Sequence, residues 1–111
     1  MSKRIEDDGI QHIFMALTNV KPGRERDFHD WYDTEHVPDV VAVPCYRSGR
    51  RFRLVDSAGV DTPWEYLSLY RFVGPAAEMH AALKVHGDAG HATLTDALVD
   101  GDGAWVYELI E

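Results

Sequence analysis

The stretch Gln11 to Val20, QHIFMALTNV, carries apolar side chains at positions of both parities, with Ile13, Met15 and Leu17 on one side and Phe14, Ala16 and Val20 on the other. A strand exposed on one face alternates apolar with polar, so this pattern predicts a strand covered on both faces. Two later segments repeat the pattern. Glu65 to Val73 and Ala104 to Ile110 read as strands that are apolar at both parities, and Tyr46 to Val55 reads as a further strand. Asp56-Ser57-Ala58-Gly59 is a turn signal that makes the second and third strands a hairpin with a long loop.

Two helices complete the order. Lys21-Pro22-Gly23 ends the first strand, and Arg24 to Glu35 has helical spacing. Pro38 disfavours helical geometry at Val37, so this helix is expected to end near His36, with a short turn through Asp39 to Ala42 before Pro44. Gly74-Pro75 opens a second helix from Ala76 to about Val85, the segment HGDAGH breaks it, and Thr93 to Val99 is helical again on its composition. The sequence β-α-β-β-α-β is that of the ferredoxin-like split βαβ sandwich, an α+β class in which helices cover one sheet face. The other face is left with too many apolar residues for solvent. A second copy of the chain, sheet against sheet in an isologous homodimer, is the economical cover.

Length and charge then bound the function. At 111 residues the chain is expected to be one domain, 1–111, with 1–9 a flexible N-terminus, too small to hold a deep cleft between lobes. The net charge is -8, which argues against nucleic acid and anionic lipid as partners. No long apolar run for a membrane span and no apolar leader is visible, so a cytoplasmic location is expected, in keeping with a single cysteine, Cys45. The acidic excess is uneven: Met1 to Arg53 holds nine basic and nine acidic residues, while Leu54 to Glu111 holds two and ten. Arg47, Arg50, Arg51 and Arg53 therefore make a positive spot in an acidic protein.

Helical projection of the first helix puts Phe28, Trp31, Tyr32 and Glu35 on one stripe, with His29, Asp33 and His36 on the adjoining flank. Tyr32 and His36, four apart, can both point into a space between helix and sheet, where burial would tune the imidazole into a base. They can equally be a core aromatic and a histidine on the helix's last carbonyls. The spacing of His29, Asp33 and His36 is loosely metal-like, but three ligands from one helix flank seldom close a site, and no metal is expected. On the second strand Arg50 shares parity with Tyr46, Ser48 and Phe52, which makes it the arginine expected to face inward and grip a carboxylate or phenolate. Asn19, Trp64, Tyr66, Tyr70 and Trp105 complete the candidate lining for a flat small molecule, or else belong to the core.

The segment Phe28 to Phe52, FHDWYDTEHVPDVVAVPCYRSGRRF, resembles the pattern of EthD-like members of the dimeric α+β barrel superfamily: a helix F-x-x-W-Y-x-x-x-H-x-P-D, a loop V-P-G-F and an arginine-bearing strand. Phe28, Trp31, Tyr32, His36, Pro38, Asp39, Pro44, Arg50, Arg51 and Phe52 match. Cys45 and Tyr46 depart from it, standing where glycine and usually phenylalanine are expected. The resemblance implies a homodimer in which two four-stranded sheets form a central barrel, each subunit keeping a pocket between sheet and helices. Relatives include cyclases, decarboxylases, isomerases, cofactor-free monooxygenases and haem-binding enzymes, so the fold does not choose the reaction.

The residues favour a cofactor-independent acid/base enzyme of lyase, isomerase or cyclase type for a small aromatic or enone-like carbonyl compound. His36 is then the base, Tyr32, Tyr46 or Tyr70 the donor to an enolate oxygen, and Arg50 with Asn19 the anchor. The alternatives are a dimeric binding or accessory protein without turnover, and a haem-dependent enzyme using His80, His86 or His91 as axial ligand. No nucleotide fingerprint, CxxC pair or nucleophile elbow is present in the sequence.

Overall fold

A computed structural model describes residues 9, 12–91, 97 and 103–110. Four strands, β1 (His12–Thr18), β2 (Tyr46–Arg53), β3 (Tyr66–Phe72) and β4 (Gly103–Glu108), form one antiparallel sheet in the order β2-β3-β1-β4. The main helices are α1 (Glu25–Trp31), α2 (Val37–Val41) and α3 (Ala76–His86). This is the ferredoxin-like α+β arrangement expected from the sequence. The expected N-terminal segment 1–9, apart from Gly9, and the expected helix Thr93–Val99, apart from Ala97, lie outside the described residues.

Register explains the double apolar pattern. Phe14 pairs with Tyr70 and with Val106, so one face carries His12, Phe14, Ala16 and Thr18 beside Tyr66, Ser68, Tyr70 and Phe72. The helices pack on this face. Its core includes Phe28, Phe72 and Met79, all fully buried, with Tyr32, Val43, Tyr46 and Tyr70 close to it. Burying each large apolar side chain contributes roughly 1.5–3 kcal/mol. The opposite face, with Ile13, Met15 and Leu17 beside Leu67, Leu69, Trp105 and Tyr107, meets no helix among the described residues. Trp105 and Tyr107 there are 45% and 50% exposed.

The first helix departs from expectation. Instead of ending near His36 it continues to Val41, because Tyr32–His36 forms a π turn between α1 and α2. The Val37 N–H donates to the Tyr32 carbonyl, five residues back. A proline inside an α-helix lacks an N–H and its ring strikes the carbonyl four residues earlier; the widened turn moves that carbonyl aside and lets Pro38 enter at the first turn of α2. The expected turn at Asp39–Ala42 is accordingly helical as far as Val41. Beyond α3 the chain does break as expected, at Gly90, whose φ of 92° is a left-handed conformation that suits glycine.

Strand β2 holds a second irregularity. Tyr46 lies opposite Phe72 but Ser48 lies opposite Arg71, so β2 spends two residues where β3 spends one. This β-bulge reverses the parity of everything after it. Tyr46 therefore shares the helix face with Gly49, Arg51 and Arg53, while Ser48, Arg50 and Phe52 turn to the open face.

Candidate functional site

The π turn builds the centre of the site. In an α-helix residues four apart adjoin, whereas in a π turn residues five apart do so. His36 accordingly stacks on Trp31, with ring centroids 4.4 Å apart and planes 17° from parallel. Its edge meets Tyr32 at 5.2 Å and Tyr70 at 6.4 Å, both nearly perpendicular. Tyr46 stands against Tyr70 at 5.9 Å. One imidazole is thus boxed by an indole and phenols between the helix and the sheet.

Burial sets the protonation of this box. It pushes the His36 imidazole below its ordinary proton affinity, against a weaker pull upward from Asp39. Burial also pushes the Tyr46 and Tyr70 phenols well above their ordinary range, so both stay protonated. The Ser68 hydroxyl pulls slightly the other way on Tyr70 without reaching hydrogen-bond geometry. The hydroxyls of Tyr46 and Tyr70 and the indole N–H of Trp31 are buried with no hydrogen-bond partner among the described residues. Buried polar groups nearly always find partners, so the unpaired donors of Trp31 and Tyr70 beside the imidazole, with Tyr46 next to Tyr70, mark this region as a candidate site. The box can hold a neutral base beside proton donors.

Of the residues singled out in the sequence, Tyr32, His36, Tyr46 and Tyr70 come together here. Tyr66 is buried one cluster away, against Phe28 at 4.9 Å and His29 at 5.2 Å. Trp64 sits half-buried in the loop before β3, its N–H donating to Thr62 Oγ1. Asn19 is a clamp rather than a free anchor. Its Nδ2 donates to the Pro63 carbonyl at 2.6 Å and its Oδ1 accepts from the Glu65 N–H at 2.8 Å, so both ends of the amide hold the β3 approach.

Two expected lining residues point away. Trp105 pairs with Met15 on the open face, across the sheet from His36. Arg50 is exposed and pairs with Leu69 on the same open face, because of the bulge. The inward arginine is Arg51. Its guanidinium lies 4.6 Å from the Tyr32 ring centre and 5.3 Å from that of Phe28, with Nη1 on Asp33 at 2.9 Å and Nη2 on His29 Nδ1 at 3.0 Å. Sequence parity missed it, as it missed Trp31 as His36's partner, since neither the bulge nor the π turn leaves a signal in periodicity. The same contacts separate the loosely metal-like trio: His29 and Asp33 engage Arg51, whereas His36 turns to Trp31 on the far side of Tyr32. His80 on α3 is exposed with its ring edge toward Phe14, and His86 borders a shallow apolar depression with Val43, Pro44, Ala82 and Val85.

Fold and box together define a ferredoxin-like α+β sandwich with a candidate site under its first helix. Solved structures share this fold. One, from Shewanella loihica PV-4, described as a "putative monooxygenase", superposes with a TM-score of 0.63 at 14% identity, covering 92% of this chain and 96% of its own. Another, an ethyl tert-butyl ether degradation (EthD) family protein from Bacillus halodurans C-125, gives 0.60 at 16% identity, covering 91% and 100%. No protein-family model and no curated protein matches the sequence significantly. Among the described residues no helix is long and apolar enough to cross a membrane.

Proposed function

We propose that the chain is a cofactor-independent acid/base enzyme, of lyase, isomerase or cyclase type, for a small aromatic or enone-like carbonyl compound. One observation carries this reading: a half-buried imidazole of lowered proton affinity, stacked on an indole face with Tyr70 at its edge, where the hydroxyls of Tyr70 and of the adjoining Tyr46 have no partner among the described residues. His36 removes the proton next to the carbonyl. The bond electrons move to the carbonyl oxygen, which accepts a hydrogen bond from Tyr70 or Tyr46. In isomerisation the imidazolium returns its proton to the far carbon of the conjugated system, and in ring closure the enolate carbon bonds to a second carbonyl carbon whose oxygen takes the displaced π pair and the proton. The Trp31 face stabilises the transient cation, by about 0.5–2 kcal/mol for such a stack. A positioned base typically contributes 10²–10⁴-fold in rate, enough for an activated carbonyl.

The active particle in this reading is a homodimer joined through the open sheet face. Ile13, Met15, Leu17, Leu67, Leu69, Trp105 and Tyr107 make a continuous apolar surface of the kind that marks an interface. Closing that face leaves the helix side free for ligand.

The test is α-proton exchange of aryl methyl ketones in D2O, followed by NMR with the wild type and with His36→Ala. Accelerated exchange that His36→Ala abolishes while the ketone still binds supports the base. Exchange unchanged by the substitution sinks it, and binding without exchange in the wild type favours the accessory-protein reading.

A further inference from the structure

A second depression lies at the outer edge of the sheet, beside edge strand β2, and its lining does not include His36. It has a volume of about 160 Å³ and is lined by His29, Arg51, Phe52, Arg53 and Tyr66. Edge strand β2 supplies both arginines, two residues apart on one face, and α1 supplies the histidine.

Arg51 is fixed before any ligand arrives. The Asp33 carboxylate, the His29 ring nitrogen and the stacked rings of Tyr32 and Phe28 hold its guanidinium in one plane. These contacts use one N–H of Nη1 and one of Nη2, and its other N–H donors have no hydrogen bond among the described residues. Because a guanidinium only donates, His29 Nδ1 accepts, and a neutral His29 keeps its Nε2 N–H as a further donor. Burial and the two arginines hold His29 below its ordinary proton affinity, which favours that neutral form. Arg53 lies over Tyr66 at 5.8 Å and engages no carboxylate among the described residues.

We infer that this depression binds a small monocarboxylate whose body is a single flat ring, at a site separate from the His36 box. Charge and size select that class. Arg51 is paired with Asp33 while Arg53 engages no carboxylate among the described residues, and Asp30 near His29 trims the remaining positive excess, which suits a monoanion better than a phosphate dianion. A cavity of about 150 Å³ holds a benzene ring, so a depression of about 160 Å³ has room for one ring. A planar guanidinium grips a carboxylate bidentately, and Tyr66 offers the ring an aromatic wall.

The probe is sodium benzoate, titrated into the full chain at constant ionic strength and followed by NMR at the arginine side-chain N–H, His29 and Tyr66 signals. Inorganic phosphate and acetate run in parallel. Saturable shifts at Arg51, Arg53 and Tyr66 are expected, with benzoate binding tightest. Loss of a charge-assisted hydrogen bond should make Arg53→Ala bind about tenfold more weakly, and Arg53→Lys should recover only part of that. Arg53 is exposed, with its guanidinium over the Tyr66 ring, so both variants are expected to fold, checked by an unchanged melting profile. Benzoate that shifts His36 and Tyr70 but not Arg53 overturns the inference and leaves the His36 reading standing. Equal affinity for phosphate, or affinity unchanged by Arg53→Ala, overturns it as well.

Discussion

Replacing Tyr70 by phenylalanine should make the protein more stable and less active, a combination that a purely structural tyrosine would not give. Tyr70 is 2% exposed and its hydroxyl has no hydrogen-bond partner among the described residues. Removing an unpaired buried hydroxyl recovers its desolvation cost, about 1–3 kcal/mol, while the phenyl ring keeps its contacts with Tyr46, Phe14 and His36. The void left by one oxygen, on the order of 10 Å³, costs only about 0.2–0.3 kcal/mol at ~24 cal/mol per Å³. The net gain is about 1–2.5 kcal/mol. For a domain of this size each kcal/mol moves the melting temperature by roughly 4–8 °C, so Tyr70→Phe should melt several degrees higher. In the ketone exchange assay the same variant should lose about 10²-fold or more if Tyr70 is the donor to the enolate oxygen. Urea denaturation with an unchanged slope, read beside calorimetry, gives the stability change cleanly. A Tyr70→Phe protein less stable than the wild type would refute the reasoning, because it would mean that the hydroxyl is engaged in the resting protein.

Three further outcomes follow from the geometry. At Gly49 an added Cβ would stand 2.9 Å from both Tyr70 Cδ1 and Val41 Cγ1, so Gly49→Ala should destabilise by about 1–2 kcal/mol net of the gain from stiffening the unfolded chain, read as a lower urea midpoint. His36 has a proton affinity below its unfolded value of 6.5, so the unfolded chain binds more protons just below that pH; stability should be full above about pH 6.5 and fall as pH drops toward the folded-state value, and His36→Gln should flatten that limb in pH-dependent melts. Exchange activity should fall over the same acid limb as the base is protonated. Sedimentation equilibrium should give a particle of two 12.5 kDa chains, and Met15→Glu or Leu69→Glu, on the open face, should shift it to one. A wild-type particle of 12.5 kDa would end the dimer reading.

Most of the fold was legible because periodicity reports burial directly. Apolar residues at both parities of β1, β3 and β4 raised the expectation of a second covered face, and the turn signals pointed to the β-α-β-β-α-β order. The stripe of Phe28, Trp31 and Tyr32 likewise named the face of α1 that meets the sheet. The site was legible only in part. Tyr32, His36, Tyr46 and Tyr70 could be chosen for their chemistry, and all four meet. Arg50, Trp105 and Asn19 were chosen by the same rules and stand elsewhere, two on the open face and one tied to backbone.

The difference lies in what each kind of inference assumes. Composition and spacing determined the class of fold, the absence of any long apolar span, the local cluster of arginines and the presence of a phenol and an imidazole on one helix. Those properties sum over many residues and tolerate a local error. Which side chains touch depends instead on unbroken periods of 3.6 and 2, and both are broken near the site, by the π turn at Tyr32–His36 and by the bulge after Tyr46. One added residue rotates all that follows by most of a helical step or onto the other side of a sheet. Tertiary packing decided that Trp31 backs His36 and that Arg51, rather than Arg50, turns toward the helices, because the π turn and the bulge set those two side chains and the bulge lays Gly49, with no Cβ to clash, against the Tyr70 ring.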